Sequence, residues 1–267
     1  MKIASINDTN IHYKDTGSRK GPVIIFCNSL GTDLRLWDSL SKYLDKSYRI
    51  IRFDKRGHGL SDISNTPYTI KLLSQDVIAL MDYLKIEKAI LCGISVGGMI
   101  AQQVASSFPN RLRGVILCNT SPRIGTEEFW KERIKLIKNE GINSQADAIL
   151  DRWFSARFKS ENKAEIVGWK NMLTRTTLEG YVATCEALRI TDLSHVVEKI
   201  TVPALCIASD EDLVTTPKNV QDMAMMIEDA TFVRIDGAGH LPPIEQPEIL
   251  AFHIHDFIKE NGLGLFD

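Results

Sequence analysis

The feature that most constrains the fold is a series of short, nearly continuous apolar runs separated by helical patterns. The runs lie at residues 23–27, 48–53, 89–92, 114–118, 204–208 and 231–235. Strands have a nearly continuous apolar sequence when helices cover both faces of the sheet, because neither face is then exposed to water. Strands that alternate with helices are joined by right-handed crossovers. The sequence therefore predicts an α/β fold with a mostly parallel, doubly wound sheet.

The segments between the apolar runs carry hydrophobic residues at helical spacing. In one of them Ile70, Leu73, Val77 and Leu80 recur three or four residues apart, and similar patterns cover 99–108 and 249–257. Before the first apolar run, residues 2–7 and 11–14 are typical of a short antiparallel hairpin at the edge of the sheet.

One part of the chain interrupts the alternation of strands and helices. Between about residues 121 and 193 no strand-like run occurs, whereas helical segments that contain tryptophan follow one another. We therefore predict that residues 1–120 and 194–267 form the α/β core and that residues 121–193 form a helical cap inserted between two strands.

Charge and composition exclude several classes of partner. The chain has 32 Lys and Arg against 34 Asp and Glu, a net charge of −2, which gives no strong field for nucleic acid or an anionic membrane. Its start lacks the apolar core of a signal peptide, and no apolar run is long enough to span a bilayer. The five cysteines are an odd number without metal-ligand spacing. We expect a reduced, cytoplasmic protein without nucleic-acid or membrane partners, and a homo-oligomer stays open.

The sharpest chemical signal is the run Gly93-Ile94-Ser95-Val96-Gly97, between a predicted strand and a predicted helix. A serine on a tight strand-to-helix turn is held in a strained conformation that exposes its hydroxyl, and the flanking glycines avoid clashes with neighbouring chain. The helix N-terminus behind it favours negative charge. The alternative is a glycine-rich turn with an incidental serine. The context favours Ser95 as a nucleophile.

A nucleophilic serine needs a base, and His240 is the best of six histidines. It lies in the run Asp236-Gly237-Ala238-Gly239-His240, after the last predicted strand. A loop at the carboxyl end of a strand is where doubly wound folds present functional groups. His58 follows an earlier strand, where a turn role is expected. The other histidines, His12, His195, His253 and His255, are expected to be solvated or packed.

The base needs an orienting acid, and Asp210 and Asp212 both follow the predicted strand 204–208. Position alone does not choose between them. Asp212 is favoured because the segment after it, which leads to Pro217, would place it at the tip of the loop just before a helix.

A tetrahedral oxyanion needs two backbone N–H donors. One is expected from Val96, directly after the serine, and the other from the loop 28–31, with Leu30 as the candidate. A plain polar turn is the alternative for that loop. We expect no metal and no organic cofactor, because these groups need none.

Together these residues resemble the α/β-hydrolase superfamily over almost the whole chain. The marks of that superfamily are the run 54–62, the glycines around Ser95, and His240 followed by Glu245-Gln246-Pro247. Within the superfamily the chain is similar to 3-oxoadipate enol-lactonases of the β-ketoadipate pathway of aromatic catabolism. That narrower likeness rests on the run Asn28-Ser29-Leu30-Gly31-Thr32 and on segments of the predicted cap.

The resemblance implies a catalytic triad of Ser95, His240 and Asp212, and hydrolysis of a small carboxylated enol-lactone. A cation or a cluster of hydrogen-bond donors facing the pocket is then expected for the substrate carboxylate. The predicted cap offers six arginines, and none of them is chosen from sequence: Arg123, Arg133, Arg152, Arg157, Arg175 and Arg189. Its tryptophans, Trp130, Trp153 and Trp169, are expected to be core of the cap rather than substrate wall.

Two other functions stay open. A carboxylesterase or perhydrolase acting on small esters would use the same three residues, so only the shape and charge of the pocket distinguish it. A non-catalytic binding protein would keep the fold without needing Ser95, Asp212 and His240 together. A dehalogenase is disfavoured because it requires a carboxylate at position 95.

Overall fold

The strands of the chain form an eight-stranded sheet. It is seen in a computed structural model that describes residues 1–44, 46 and 48–264. The strands are β1 (Lys2–Ile6), β2 (Thr9–Gly17), β3 (Val23–Cys27), β4 (Arg49–Phe53), β5 (Ala89–Ile94), β6 (Leu112–Cys118), β7 (Ala204–Ser209) and β8 (Thr231–Ile235). Their order across the sheet is β1-β2-β4-β3-β5-β6-β7-β8. All pairs from β4 to β8 are parallel, and β2 pairs antiparallel with both β1 and β4. The predicted fold class is confirmed.

Twelve α-helices are assigned within the described residues. Those that accompany the sheet are α1 (Leu40–Tyr43), α2 (Ile70–Tyr83), α3 (Val96–Ser107), α9 (Ser194–Val197), α10 (Pro217–Met225), α11 (Pro242–Glu245) and α12 (Pro247–Glu260). Those between β6 and α9 are α4 (Glu127–Glu140), α5 (Ile142–Trp153), α6 (Ala156–Glu161), α7 (Lys163–Thr174) and α8 (Leu178–Arg189). In the described part of the chain, no helix is both long enough and apolar enough to cross a bilayer.

The central strands are buried on both faces, which explains their unbroken apolar sequence. Every residue of β4, β5 and β7 is buried, and α3 packs on β5 and β6 while also contacting α2. Burial of such side chains is the main stabilising contribution to the fold, at about 25 cal/mol per Å² of apolar surface. β8 differs from the prediction, because it lies at the edge of the sheet and only Ile235 in it is fully buried.

The helices α4 to α8 lie between β6 and β7, so the chain leaves the sheet and returns to the neighbouring strand. Among them, α4 packs on α8 and on α5, and α5 packs on α7. We call this helical segment the cap. Its treatment as a separate unit with boundaries at residues 121 and 193 stays a prediction. The cap begins after the carboxyl end of β6, at the edge of the sheet where β3, β5 and β7 also end.

Candidate active site

Ser95 lies at the turn between β5 and α3 in a conformation rare for a residue with a side chain. Its φ and ψ are 57° and −124°. Its N–H donates to the carbonyls of Cys118 (3.2 Å) and Asn119 (3.1 Å), and its own carbonyl accepts from the Thr120 hydroxyl at 2.7 Å. Such left-handed strain persists only where the surroundings hold it. The end of β6 therefore fixes the turn that presents Ser95.

Two of the flanking glycines are required by close packing. A Cβ on Gly93 would lie 2.1 Å from the carbonyl oxygen of Gly97, and a Cβ on Gly97 would lie 2.1 Å from the carbonyl oxygen of Cys27. Backbone thus contacts backbone on both sides of the serine. The same tight packing brings α3 against the loop after β3.

His240 and Asp212 form a buried pair at the ends of two other strands. The His240 Nδ1 lies 2.8 Å from Asp212 Oδ2, and the two residues are 1% and 2% exposed. The Asp212 carboxylate also accepts from the N–H of Val214 (2.7 Å), the N–H of Thr215 (3.2 Å) and the Thr215 hydroxyl (2.8 Å). Because the carboxylate accepts from the ring nitrogen Nδ1, Nε2 is the nitrogen left to exchange a proton with a neighbour.

Asp210, the other candidate acid, binds instead to the backbone of the loop that carries His240. We call this loop, residues 236–241, the histidine loop. The Oδ1 of Asp210 accepts from the N–H of Gly237 (2.8 Å) and from the N–H of Ala238 (3.3 Å). The geometry therefore brings Asp212, and not Asp210, to the His240 ring.

Asn119 ties the same loop to the sheet. This residue follows β6, and its side-chain amide donates to the carbonyls of His240 (3.0 Å) and Gly239 (3.2 Å) and to the Ser209 hydroxyl (2.9 Å). Its Oδ1 accepts from the N–H of Ser209 at 2.8 Å. One fully buried amide thus fixes the end of β6, the end of β7 and the histidine loop together.

The loop after β3 carries Leu30, the first candidate oxyanion donor. Lys55 Nζ donates to the carbonyl of Ser29 at 2.6 Å, and the N–H of Gly31 donates to His58 Nε2 at 3.1 Å. Leu30 therefore lies between two residues whose backbone is held by side chains of the loop after β4. Val96, the second candidate, is the first residue of α3, so its N–H has no carbonyl one turn earlier within the helix.

The two side chains that hold this loop are buried, and burial changes their protonation. Burial lowers the pKa of Lys55 to about 7. Burial, together with the charge of Lys55, lowers the pKa of His58 well below its usual value. His58 is then neutral at physiological pH, which leaves its Nε2 free to accept the Gly31 N–H.

Ser95, His240 and Leu30 line one cavity of about 270 Å³ between the sheet and the cap. The remaining lining comes mostly from the cap and is largely apolar: Ile124, Gly125, Thr126, Phe129, Trp130, Ile149, Trp153, Tyr181 and Leu188, with Ser29 and Val214 from the core. Ligand pockets usually hold roughly 300–1,000 Å³, so the cavity suits a small molecule. Of the six histidines, all within the described residues, His240 lines it.

Two arginines from the cap, Arg133 and Arg152, also line this cavity. Their guanidinium carbons lie 5.3 and 5.0 Å from the ring centre of Phe129. Arg133 donates to the Tyr181 hydroxyl at 3.4 Å, and Arg152 donates to the carbonyl of Leu213 at 3.5 Å. Among the described residues neither forms a salt bridge. Burial and the charge of Arg133 lower the pKa of Arg152.

The comparisons with known proteins agree with this geometry. A family model described as alpha/beta hydrolase fold matches residues 22–139. Two proteins of Acinetobacter baylyi named 3-oxoadipate enol-lactonase are each 36% identical to the chain, one over 94% of both chains and one over 97% of this chain and 98% of its own. The crystal structure of an enol-lactonase from Burkholderia xenovorans is 38% identical, covers 97% of this chain and 100% of its own, and superposes with a TM-score of 0.94.

The chain belongs to the α/β-hydrolase superfamily.

The predicted family and the predicted enzyme class, a hydrolase acting on carboxylic ester bonds, are thereby confirmed. Within this α/β-hydrolase, the expectation for the cap tryptophans is wrong in part. Trp130 and Trp153 are each 5% exposed, as core residues are, yet both line the cavity. Their large rings reach from the cap interior to the cavity wall. Trp169 packs beside Phe154, with ring centres 6.4 Å apart, as expected of cap core.

Several residues that hold the site were not singled out from sequence. Asn119 could have been noticed as a polar residue directly after a buried strand, and Lys55 as a polar residue that follows another. His58 was expected to have a turn role, and its bond to the Gly31 N–H was not predicted. No sequence signal distinguishes Arg133 and Arg152 from the other cap arginines, because the direction in which each helix faces depends on packing. Within the described residues, no cluster of three or more His, Cys, Asp or Glu has the arrangement of a metal site.

Proposed function

We propose that this α/β-hydrolase opens a small carboxylated enol-lactone, 3-oxoadipate enol-lactone, to give 3-oxoadipate. The observation that carries the proposal is the pair Arg133 and Arg152, which form no salt bridge among the described residues and line the same cavity as Ser95 and His240. Two half-buried cations near each other repel, and a carboxylate on the substrate would relieve that repulsion. The names of the relatives support the same substrate class.

In the proposed reaction Ser95 Oγ attacks the lactone carbonyl while His240 Nε2 takes its proton. Asp212 fixes the ring of His240 and stabilises the imidazolium that forms. The N–H groups of Leu30 and Val96 donate to the oxyanion of the tetrahedral intermediate, whose negative charge develops in the transition state.

Collapse of that intermediate breaks the ring C–O bond and forms an acyl-enzyme on Ser95. The departing enol oxygen takes the proton from His240 and stays on the same molecule as the acyl group. Water then attacks the acyl carbon and gives a proton to His240, which passes it to Ser95 Oγ as the bond between that oxygen and the acyl carbon breaks. The enol becomes a ketone, which makes the opening of the ring hard to reverse.

The cavity supports binding of the carboxylate at the cap. The guanidinium groups of Arg133 and Arg152 would each donate charge-assisted hydrogen bonds to it, and the apolar wall beside them would contact the carbon skeleton. A carboxylesterase or perhydrolase would use the same serine but would not need two cations in the wall.

The test follows loss of the ultraviolet absorbance of the enol-lactone, with p-nitrophenyl acetate as a neutral ester. We expect the purified protein to turn over the lactone with a kcat/KM far above that for the ester. Ser95→Ala should lower both activities by about 10⁵-fold or more. Ester hydrolysis without lactone turnover would contradict the proposed substrate. Unchanged activity of Ser95→Ala would contradict the proposed nucleophile.

A further inference from the structure

Glu245, in the short helix α11, joins the histidine loop to the cap. Its Oε1 accepts from the N–H of Gly239 at 2.9 Å, next to His240. Its Oε2 accepts from the hydroxyl and the N–H of Ser155, at 2.5 and 3.2 Å. Ser155 follows α5 in the cap. A single carboxylate therefore bonds to both sides of the cavity.

The two segments that Glu245 joins also touch each other directly. A Cβ on Gly239 would lie 2.8 Å from the nitrogen of Ser155 and 2.9 Å from the carbonyl oxygen of Trp153. Backbone of the histidine loop thus lies against backbone of the cap. A contact this close transmits a displacement of either segment to the other, because packed backbone has little room to yield.

The carboxylate of Glu245 is held by neutral donors. Among the described residues no Lys, Arg or His forms a salt bridge with it, and burial raises its pKa although its hydrogen bonds act in the opposite direction. A partly buried carboxylate loses hydration, and the Gly239 and Ser155 donors replace part of it. The Glu245 carboxylate therefore keeps all of its hydrogen bonds only while the histidine loop and the cap segment at Ser155 both stay in place.

The neighbours of Gly239 and Ser155, the two partners of Glu245, belong to the proposed active site. His240 follows Gly239 and is the proposed base. Arg152 and Trp153 end α5, shortly before Ser155, and both line the cavity. The base and a part of the substrate wall are thus attached to the two partners of one side chain.

We infer that Glu245 is a positioning residue, which holds His240 in register with the cap wall that binds the substrate. The inference rests on the proposed function, because it assigns Glu245 a role in that same site. Glu245 touches no reacting atom. It acts through Gly239 on the base and through Ser155 on the wall.

The test compares Glu245→Ala with Glu248→Ala, a matched loss of glutamate at an exposed position three residues further along the chain. A misplacement of the base by about 1 Å lowers the rate up to about a hundredfold. We expect kcat of Glu245→Ala to fall at least tenfold on both the lactone and p-nitrophenyl acetate, with KM for the lactone also raised. Glu248→Ala should keep the wild-type values.

The conservative variant separates positioning from loss of folding. Glu245→Gln keeps an acceptor for the Gly239 N–H, so its kcat should recover to an intermediate value. Titration with a serine-reactive phosphonate gives the concentration of active enzyme, from which each kcat is calculated. A thermal unfolding curve verifies that each variant is folded at the assay temperature. The proton NMR resonance of the His240–Asp212 hydrogen bond gives a direct readout, which should broaden or shift in Glu245→Ala.

The inference is overturned if folded Glu245→Ala has a kcat within twofold of wild type, or if this resonance is unchanged. If Glu245→Ala does not fold, Glu245→Gln decides by the same two measurements. Failure of the proposed function would look different, because wild-type protein would then not turn over the lactone while the effect of Glu245→Ala on ester hydrolysis would persist.

Discussion

The two walls of the cavity are built on different principles. On the side of the sheet Ser95, His240 and Asp212 are held by buried hydrogen bonds, and the Asp212 carboxylate alone accepts from four donors. The rigid sheet side suits the steps of ester hydrolysis that all ester substrates share.

On the side of the cap, Arg133 and Arg152 face the cavity with one long hydrogen bond each, to the Tyr181 hydroxyl and to the Leu213 carbonyl, and both lie over the ring of Phe129. The cap side, whose two arginines have no carboxylate partner among the described residues, suits discrimination between substrates by their charge.

The largest difference should come from the acid on the sheet side. Asp212→Asn would leave the His240 ring in the wrong tautomer, and we expect kcat to fall by about 10⁴ on lactone and ester alike. Asp210→Asn, two residues away, keeps an amide oxygen that can accept from the N–H groups of Gly237 and Ala238, so it should cost far less. Steady-state kinetics of both variants check this. Equal losses would mean that the two aspartates share the role.

Changes on the cap side should affect the lactone alone. Arg133→Met and Arg152→Met each remove a charged donor worth about 1.5–3 kcal/mol, so KM for the lactone should rise about ten- to a hundredfold. Arg157→Met is the control, since Arg157 lies in the cap with 72% of its side chain exposed and pairs with Glu161. Values for p-nitrophenyl acetate should barely change. If the ester suffers as much as the lactone, the two walls do not divide chemistry from selection.

A smaller effect should follow from the support of the oxyanion loop. His58→Leu removes the acceptor for the Gly31 N–H, and the loop that carries Leu30 should loosen, with kcat lowered about tenfold for both substrates. His58→Gln places an amide oxygen near the former Nε2 and should restore most of the activity. Rescue by glutamine is the decisive comparison, measured at a temperature where all three proteins are folded.

The smallest effect concerns stability and comes from Lys55. The unfolded chain keeps this proton to a pH near 10, whereas the folded chain releases it near pH 7. Between these values the unfolded state binds more protons, so this residue makes the free energy of unfolding rise with pH.

Urea unfolding of wild type and Lys55→Met at pH 7, 8 and 9 measures this rise. The difference, wild type minus variant, should increase by up to about 1.4 kcal/mol per pH unit. A difference that does not change with pH would show that Lys55 stays charged in the folded protein.

Sequence predicted the parts of this molecule that depend on local pattern. The apolar runs located the six parallel strands, because a strand that is covered on both faces needs apolar residues at nearly every position. Strand ends were less accurate: β5 continues to Ile94 because Ile94 still pairs with Cys118, and β6 begins at Leu112 because Leu112 pairs with Ala89. The pairing of β2 with β4 was not predicted, since it depends on contacts distant along the chain.

The candidate site likewise contains residues that local sequence predicts and residues that only the tertiary structure shows. Ser95 and His240 follow glycine-rich turns at strand ends, and such turns are visible in sequence. Whether Asp210 or Asp212 faces His240 depends on the path of a few loop residues, which no periodicity encodes. The roles of Asn119 and Glu245 arise only when segments about 90 to 120 residues apart meet. The cap arginines could be counted from sequence but not oriented.

The position of the cap between β6 and β7 has a consequence for how this enzyme can be rebuilt. Because its two ends join adjacent strands, another helical segment could be grafted there without altering the register of any strand pair. Such a chimera would have to reproduce more than a pocket shape. It would also need a hydroxyl and an N–H where Ser155 now stands, because without them Glu245 would no longer join the loop that carries His240 to the cap.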